Sequence, residues 1–102
     1  AEGHTLVVPK APGRDIFEIP TEALAAAIRT TQRVAVAVKE AFEAPGIMIA
    51  QLNGAPAGQT VFHLHFHIVP RYHGKDMRLA AGQMADPAVL AEHAARIRAK
   101  LG

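Results

Sequence analysis

The sequence predicts an α+β domain: an antiparallel sheet with one long helix packed on it, and a second helix at the C-terminus. Three observations lead there. Residues 60–69 alternate, with His63, His65 and His67 separated by Leu64, Phe66 and Ile68; a period of two belongs to a strand with one face in a core. Residues 21–43 shift to a spacing of three to four through Leu24, Ile28, Thr31, Val34, Val38 and Phe42, the apolar stripe of a helix. Residues 47–52 form a second apolar run, joined to the histidine run by the turn-rich Asn53-Gly54-Ala55-Pro56-Ala57-Gly58. An antiparallel hairpin is the simplest connection between two such runs.

Each element has its own local reason. Residues 4–8 (His-Thr-Leu-Val-Val) are β-branched and apolar, and Pro9 closes them, so they read as a short strand with His4, Leu6 and Val8 on one face. Residues 10–14, with Pro12 and Gly13, read as a loop. Residues 15–19 read as a short turn whose Ile16, Phe17 and Ile19 pin the next helix. Pro20 and Thr21 start that helix, Glu22 suits its positive end, and Pro45-Gly46 stops it. At about 1.5 Å per residue it is about 33 Å long, enough to cover one face of a small sheet. The histidine strand presents its imidazoles to one side and Phe62, Leu64, Phe66 and Ile68 to the core. Residues 72–85 read as irregular. Asp86 as N-cap and Pro87 at the first helical position then start the last helix. Its stripe is Val89, Leu90, Ala94, Ile97 and Leu101.

Composition narrows the functional classes. The 102 residues suffice for one domain, 1–102, and are too few for two. Half the residues are hydrophobic and 20% are charged, the balance of a soluble globular protein. The chain contains no cysteine, which excludes disulfides and thiolate metal sites and fits a cytoplasmic location. No apolar run approaches the roughly 20 residues of a membrane span, so no membrane partner is expected. The net charge is +2 with Lys and Arg scattered, which favours a small anionic ligand over a nucleic-acid groove. The chain opens at Ala1-Glu2-Gly3-His4, directly before a strand-like run, so a segment upstream is expected and the domain reads as N-terminally incomplete.

Three histidines in register on one face call for a chemical reading. Positions two apart on a strand are about 6.6 Å apart, so His63 and His67 are separated by about 13 Å. Zinc holds imidazole nitrogens at about 2.0–2.1 Å. Three histidines of one straight strand therefore cannot share one ion, although His4 could join two of them. No metal site and no cofactor is expected. As merely structural residues, three buried imidazoles would each need a hydrogen-bond partner on the side they face. The catalytic reading uses the geometry better. A largely neutral imidazole is a competent nucleophile or proton carrier. With the middle residue, His65, beside a phosphorus atom, one neighbour can orient its ring and the other can donate a proton. Gln59 and Thr60 lie where the loop meets the strand, within reach of phosphate oxygens, and Asn53 adds a polar contact across the loop. His73 and His93 read as surface residues, and Arg71 and Lys75 as solvated charge.

The run from Gly58 to Val69, Gly-Gln-Thr-Val-Phe-His-Leu-His-Phe-His-Ile-Val, resembles the histidine triad (HIT) signature. Gly3-His4-Thr5-Leu6-Val7-Val8-Pro9-Lys10 resembles the strand motif that precedes it in that family, and Asn53-Gly54 sits where the family places a nucleotide-contacting Asn. The resemblance implies a HIT-like antiparallel sheet. It also implies a hydrolase acting on the α-phosphate of a purine nucleotide conjugate, through a covalent nucleotidyl-histidine on His65. By the same carry-over His63 orients His65, His67 contacts the phosphate and assists the leaving group, and His4 supports the relay. Asn53, Gly58, Gln59 and Thr60 hold phosphate or ribose. The Hint-like phosphoramidases resemble the chain more than the Fhit-like dinucleoside polyphosphate hydrolases. A homodimer through the long helix and a sheet edge is implied. A nucleotide-binding module with little turnover is the alternative. Some bacterial members bind zinc through cysteines that this chain lacks.

Overall fold

The computed structural model describes residues 3–73 and 87–101. Its elements are β1 (Thr5–Val7), α1 (Thr21–Ala41), β2 (Gly46–Ala50), a single 3₁₀ turn (Ala55–Ala57), β3 (Phe66–Arg71) and α2 (Pro87–Leu101). The strands form an antiparallel sheet in the order β1-β3-β2. In the centre, Ile68 lies opposite Thr5 on one side and Ile49 on the other, and His67 lies opposite Leu6 and Ala50. Directly opposed residues share a face of the sheet. Phe66 and Ile68 therefore point one way, into a cluster with Val7, Leu64 and the α1 residues Ala27, Ala37, Val38 and Phe42. His67 points the other way with Leu6 and Ala50.

The expected architecture holds, with three adjustments of physical interest. The histidine strand begins at Phe66, so of the triad only His67 lies in regular β-structure. Continuing the β1–β3 register would set Leu64 opposite Pro9, which has no N–H for a ladder. The Leu64 N–H instead donates to the Gly13 carbonyl at 2.9 Å. The backbone bends at 61–63, which carries Phe62 out of the core to 52% exposure, with the Arg14 guanidinium 5.8 Å from its ring. The α1 stripe is also turned slightly. Ala27 is buried while Ile28 is 48% exposed, so a small residue lies where the helix comes close to its neighbours. Arg71 is half-buried, at odds with a solvated charge, and His73 is exposed as expected. Asp86, Lys75 and the side chains of Val89, Leu90 and His93 lie outside the described residues.

The C-terminal end of α1 is tied down on several sides. Glu43 has φ +48°, its N–H bonds the Glu40 carbonyl, and the Ala44 N–H reaches the Lys39 carbonyl at 3.0 Å, a Schellman closure. Tyr72 donates its hydroxyl hydrogen to the Phe42 carbonyl at 2.7 Å. Arg96 of α2 donates to the Ala41 carbonyl and lies over the Phe42 ring at 4.2 Å. One element of this closure is strained: the left-handed position carries Glu where glycine has no steric cost. Replacing Glu43 by Gly relieves about 1 kcal/mol, which raises the melting temperature by about 4–8 °C for a domain of this size. Thermal melts of the two proteins check this; a lower melting temperature for Glu43→Gly refutes it.

Candidate active site

The site is built on the stretch where the extended run leaves the sheet. From His63 to Ile68 buried and half-buried residues alternate: Leu64, Phe66 and Ile68 are buried while His63, His65 and His67 are each partly open. The alternation thus continues three residues beyond the ladder, and the imidazoles share the open side. The rings of His65 and His67 meet edge to face, centroids 4.8 Å apart, and the His67 and His4 rings lie 5.1 Å apart. His4 Nε2 and His67 Nδ1 are hydrogen-bonded at 2.9 Å. His65, His67 and His4 therefore form one contiguous group at the starts of β3 and β1.

Tautomers follow from the partners. His65 Nδ1 lies 2.7 Å from the His63 carbonyl oxygen. A carbonyl only accepts, so Nδ1 carries the hydrogen and Nε2 keeps the lone pair. The contact that orients His65 is thus made by the His63 backbone. The His63 ring turns aside, its Nε2–H donating to the Pro9 carbonyl at 2.9 Å. Pro9 carried no signal in the sequence, because a backbone carbonyl is the same on every residue.

The loop before the triad supplies donors and positions them. Thr60 is exposed, and its hydroxyl, its N–H and the N–H groups of Val61 and Phe62 have no partner among the described residues. They are available to an anion. Gly58 and Gly54 have φ +104° and +89°, conformations that glycine adopts without strain. The Gly58 N–H bonds the Ala55 carbonyl within the turn. Asn53 accepts from the Ile16 N–H at 2.8 Å and exchanges two hydrogen bonds with the Gln51 amide. The second Asn53 side-chain N–H has no partner among the described residues. Gln51 is a site neighbour that the sequence reading missed, although its polar character two residues from Asn53 was visible. Gln59 is buried and its amide is fully engaged within the protein. Among the described residues no group of three or more His, Asp or Glu side chains could hold a metal ion, and no helix is long and apolar enough to cross a membrane.

Burial is the main cause that holds His4 and His67 below the ordinary imidazole value of 6.5. At His67 the neighbouring His65 and His4 charges add to it. As pH falls from about 6.5 toward these lowered values, the unfolded chain binds protons before the folded one. The contribution to stability is therefore intact above about 6.5 and is lost below it. Between pH 7 and 5 the melting temperature is expected to fall, and His67→Gln is expected to fall less steeply. Parallel slopes for the two proteins in calorimetric melts would detach this linkage from His67.

The HIT domain model matches residues 1–74. Protein hit of Bacillus subtilis is 39% identical over 71 residues, which cover 70% of this chain and 49% of that protein. The adenosine 5'-monophosphoramidase HNT1 of Saccharomyces cerevisiae is 39% identical over 71 residues, 70% of this chain and 42% of that one. A Hit-like protein of Bartonella henselae, whose crystal structure holds an unknown ligand, matches with a TM-score of 0.89 at 44% identity, over 98% of this chain and 72% of that one. The chain spans about half the length of the first curated relatives it matches. The matched segment takes in β1, α1, β2, β3 and every histidine of the group just described, and on that ground the chain belongs to the HIT family.

Proposed function

We propose that this chain carries the catalytic residues of a nucleotide hydrolase acting on the α-phosphate of a purine nucleotide conjugate, of phosphoramidate type. The reading rests above all on the His65 tautomer: a ring held at Nδ1 by a carbonyl has Nε2 free to attack. In the first step Nε2 bonds to the α-phosphorus and the bond from phosphorus to the leaving nitrogen breaks. Positive charge develops on the His65 ring, where the His63 carbonyl stabilises it. A proton reaches the leaving nitrogen through the His4–His67 pair. In the second step water attacks the same phosphorus, the P–N bond to His65 breaks, and the nucleoside monophosphate leaves while the water's proton restores the pair. Thr60, the N–H groups that follow it, and Asn53 hold phosphate or ribose oxygens.

The yeast relative's name, an adenosine 5'-monophosphoramidase, supports an amine leaving group over a dinucleoside polyphosphate. The family reading also brings a homodimer, and the lack of cysteine fits a cytoplasmic location. Ile28 and Val36 on α1 and Leu6 on the sheet edge are exposed apolar residues compatible with such a contact. The test uses the full-length protein with an adenosine phosphoramidate and follows AMP release. His65→Ala is expected to lower kcat by about 10³-fold or more. Activity that survives the substitution removes His65 from its role. AMP binding by calorimetry with no turnover in the parent would favour a binding module instead.

A further inference from the structure

We infer that Gln59 is a positioning residue that fixes the Thr60 donors relative to the His65 nucleophile, and that its side chain does not itself contact the phosphate. The inference rests on the proposed hydrolase reading and changes the role expected of one residue in it. Gln59 is 3% exposed, and its amide makes three hydrogen bonds to three separate backbone segments. Its Oε1 accepts from the Gly54 N–H at 2.7 Å, and its Nε2 donates to the carbonyls of Arg14 at 2.7 Å and Val61 at 3.1 Å. The backbone is used as well: the Gln59 N–H bonds the Gly54 carbonyl at 3.1 Å. Both amide hydrogens are occupied, so no donor is left for a phosphate oxygen.

The placement explains what the side chain does. The paired bonds to Gly54 close the 54–59 loop around its 3₁₀ turn. The bond to Val61 holds the chain immediately after Thr60, so the unpaired donors of 60–62 are fixed from both ends. The bond to Arg14 ties this loop to the 9–14 segment, whose Pro9 and Gly13 carbonyls hold His63 and Leu64. One amide thus sets the phosphate donors and the histidine run in a common frame. A displacement of about 1 Å between nucleophile and phosphate costs about 10²-fold in rate, so the effect belongs to kcat.

The test compares Gln59→Glu with the parent in the full-length protein, measuring kcat and KM for an adenosine phosphoramidate from pH 5 to 8. A carboxylate keeps the shape but presents oxygen to the Arg14 and Val61 carbonyls, and burial raises its pKa. At pH 8 kcat is expected to drop about 10²-fold with KM and the calorimetric Kd for AMP nearly unchanged. Relative to the parent, kcat is expected to recover as the acid protonates and regains a donor. A retained kcat with a weakened KM and AMP affinity would make Gln59 a ligand contact and overturn the inference, as would a deficit that ignores pH. Should Gln59→Glu not fold, Gln59→Met serves: it should lose kcat, keep AMP affinity and follow the parent's pH profile, and the reverse pattern refutes the assignment. A parent that releases no AMP sinks the hydrolase reading separately. The amide resonances of Thr60 to His63 then decide the role of Gln59: displacement in Gln59→Glu at pH 8 that reverses on acidification supports it, and unmoved resonances overturn it.

Discussion

The pleat of residues 63–68 is the constraint on which the site depends. Leu64 and Ile68 are fully buried and Phe66 nearly so, each burial contributing about 1.5–3 kcal/mol. A slip of one residue would turn these three out and drive three imidazoles into the core against α1. Each would then lose its hydration without a partner, at a cost of a few kcal/mol. Register is therefore set strongly by the apolar side, and the facing of the histidines follows from it. Core packing decides a question of chemistry.

Equally important is where the pleat stops pairing. In a continuous ladder the His63 carbonyl would accept from a neighbouring strand. Because ladder pairing begins only at Phe66, that carbonyl accepts from the His65 ring instead, while the Pro9 carbonyl accepts from the His63 ring. The tautomer that leaves Nε2 available is thus a consequence of a short strand. The bends at 61–63 have the same origin and expose the N–H groups next to Thr60 that a strand would have consumed.

Much of this was legible in the sequence because it is local. The alternation around His65, the three-to-four spacing of Leu24 to Phe42 and the Gly/Pro-rich loop each declare an element without reference to distant residues. What the sequence could not declare depends on partners far along the chain. Phe62 continues the apolar alternation and yet lies outside, since the strand had already run out of neighbours. Ala27 replaces Ile28 at the packed face because the helix rotates to suit the sheet and α2, and periodicity fixes a stripe only to within about one residue. The sequence places Gln59 beside Thr60 but cannot show that it is buried against Gly54, Arg14 and Val61. The left-handed Glu43 gave no warning either, because the stop signal Pro45-Gly46 lies two residues beyond it.

The His4–His67 bond admits two tautomeric arrangements. Of the two nitrogens 2.9 Å apart, one must donate and the other accept. If His67 Nδ1 donates, its Nε2 bears a lone pair and repels a phosphate oxygen. If His4 Nε2 donates, His67 Nε2 carries the hydrogen and attracts that oxygen. An arriving anion therefore selects the second arrangement. Its charge also raises the proton affinity of both rings, opposing the burial that lowers them in the free protein. On the proposed hydrolase reading, a bound phosphate thus favours the proton that burial disfavours in the free protein. In that reading the substrate itself favours the acid that departure of its leaving group requires.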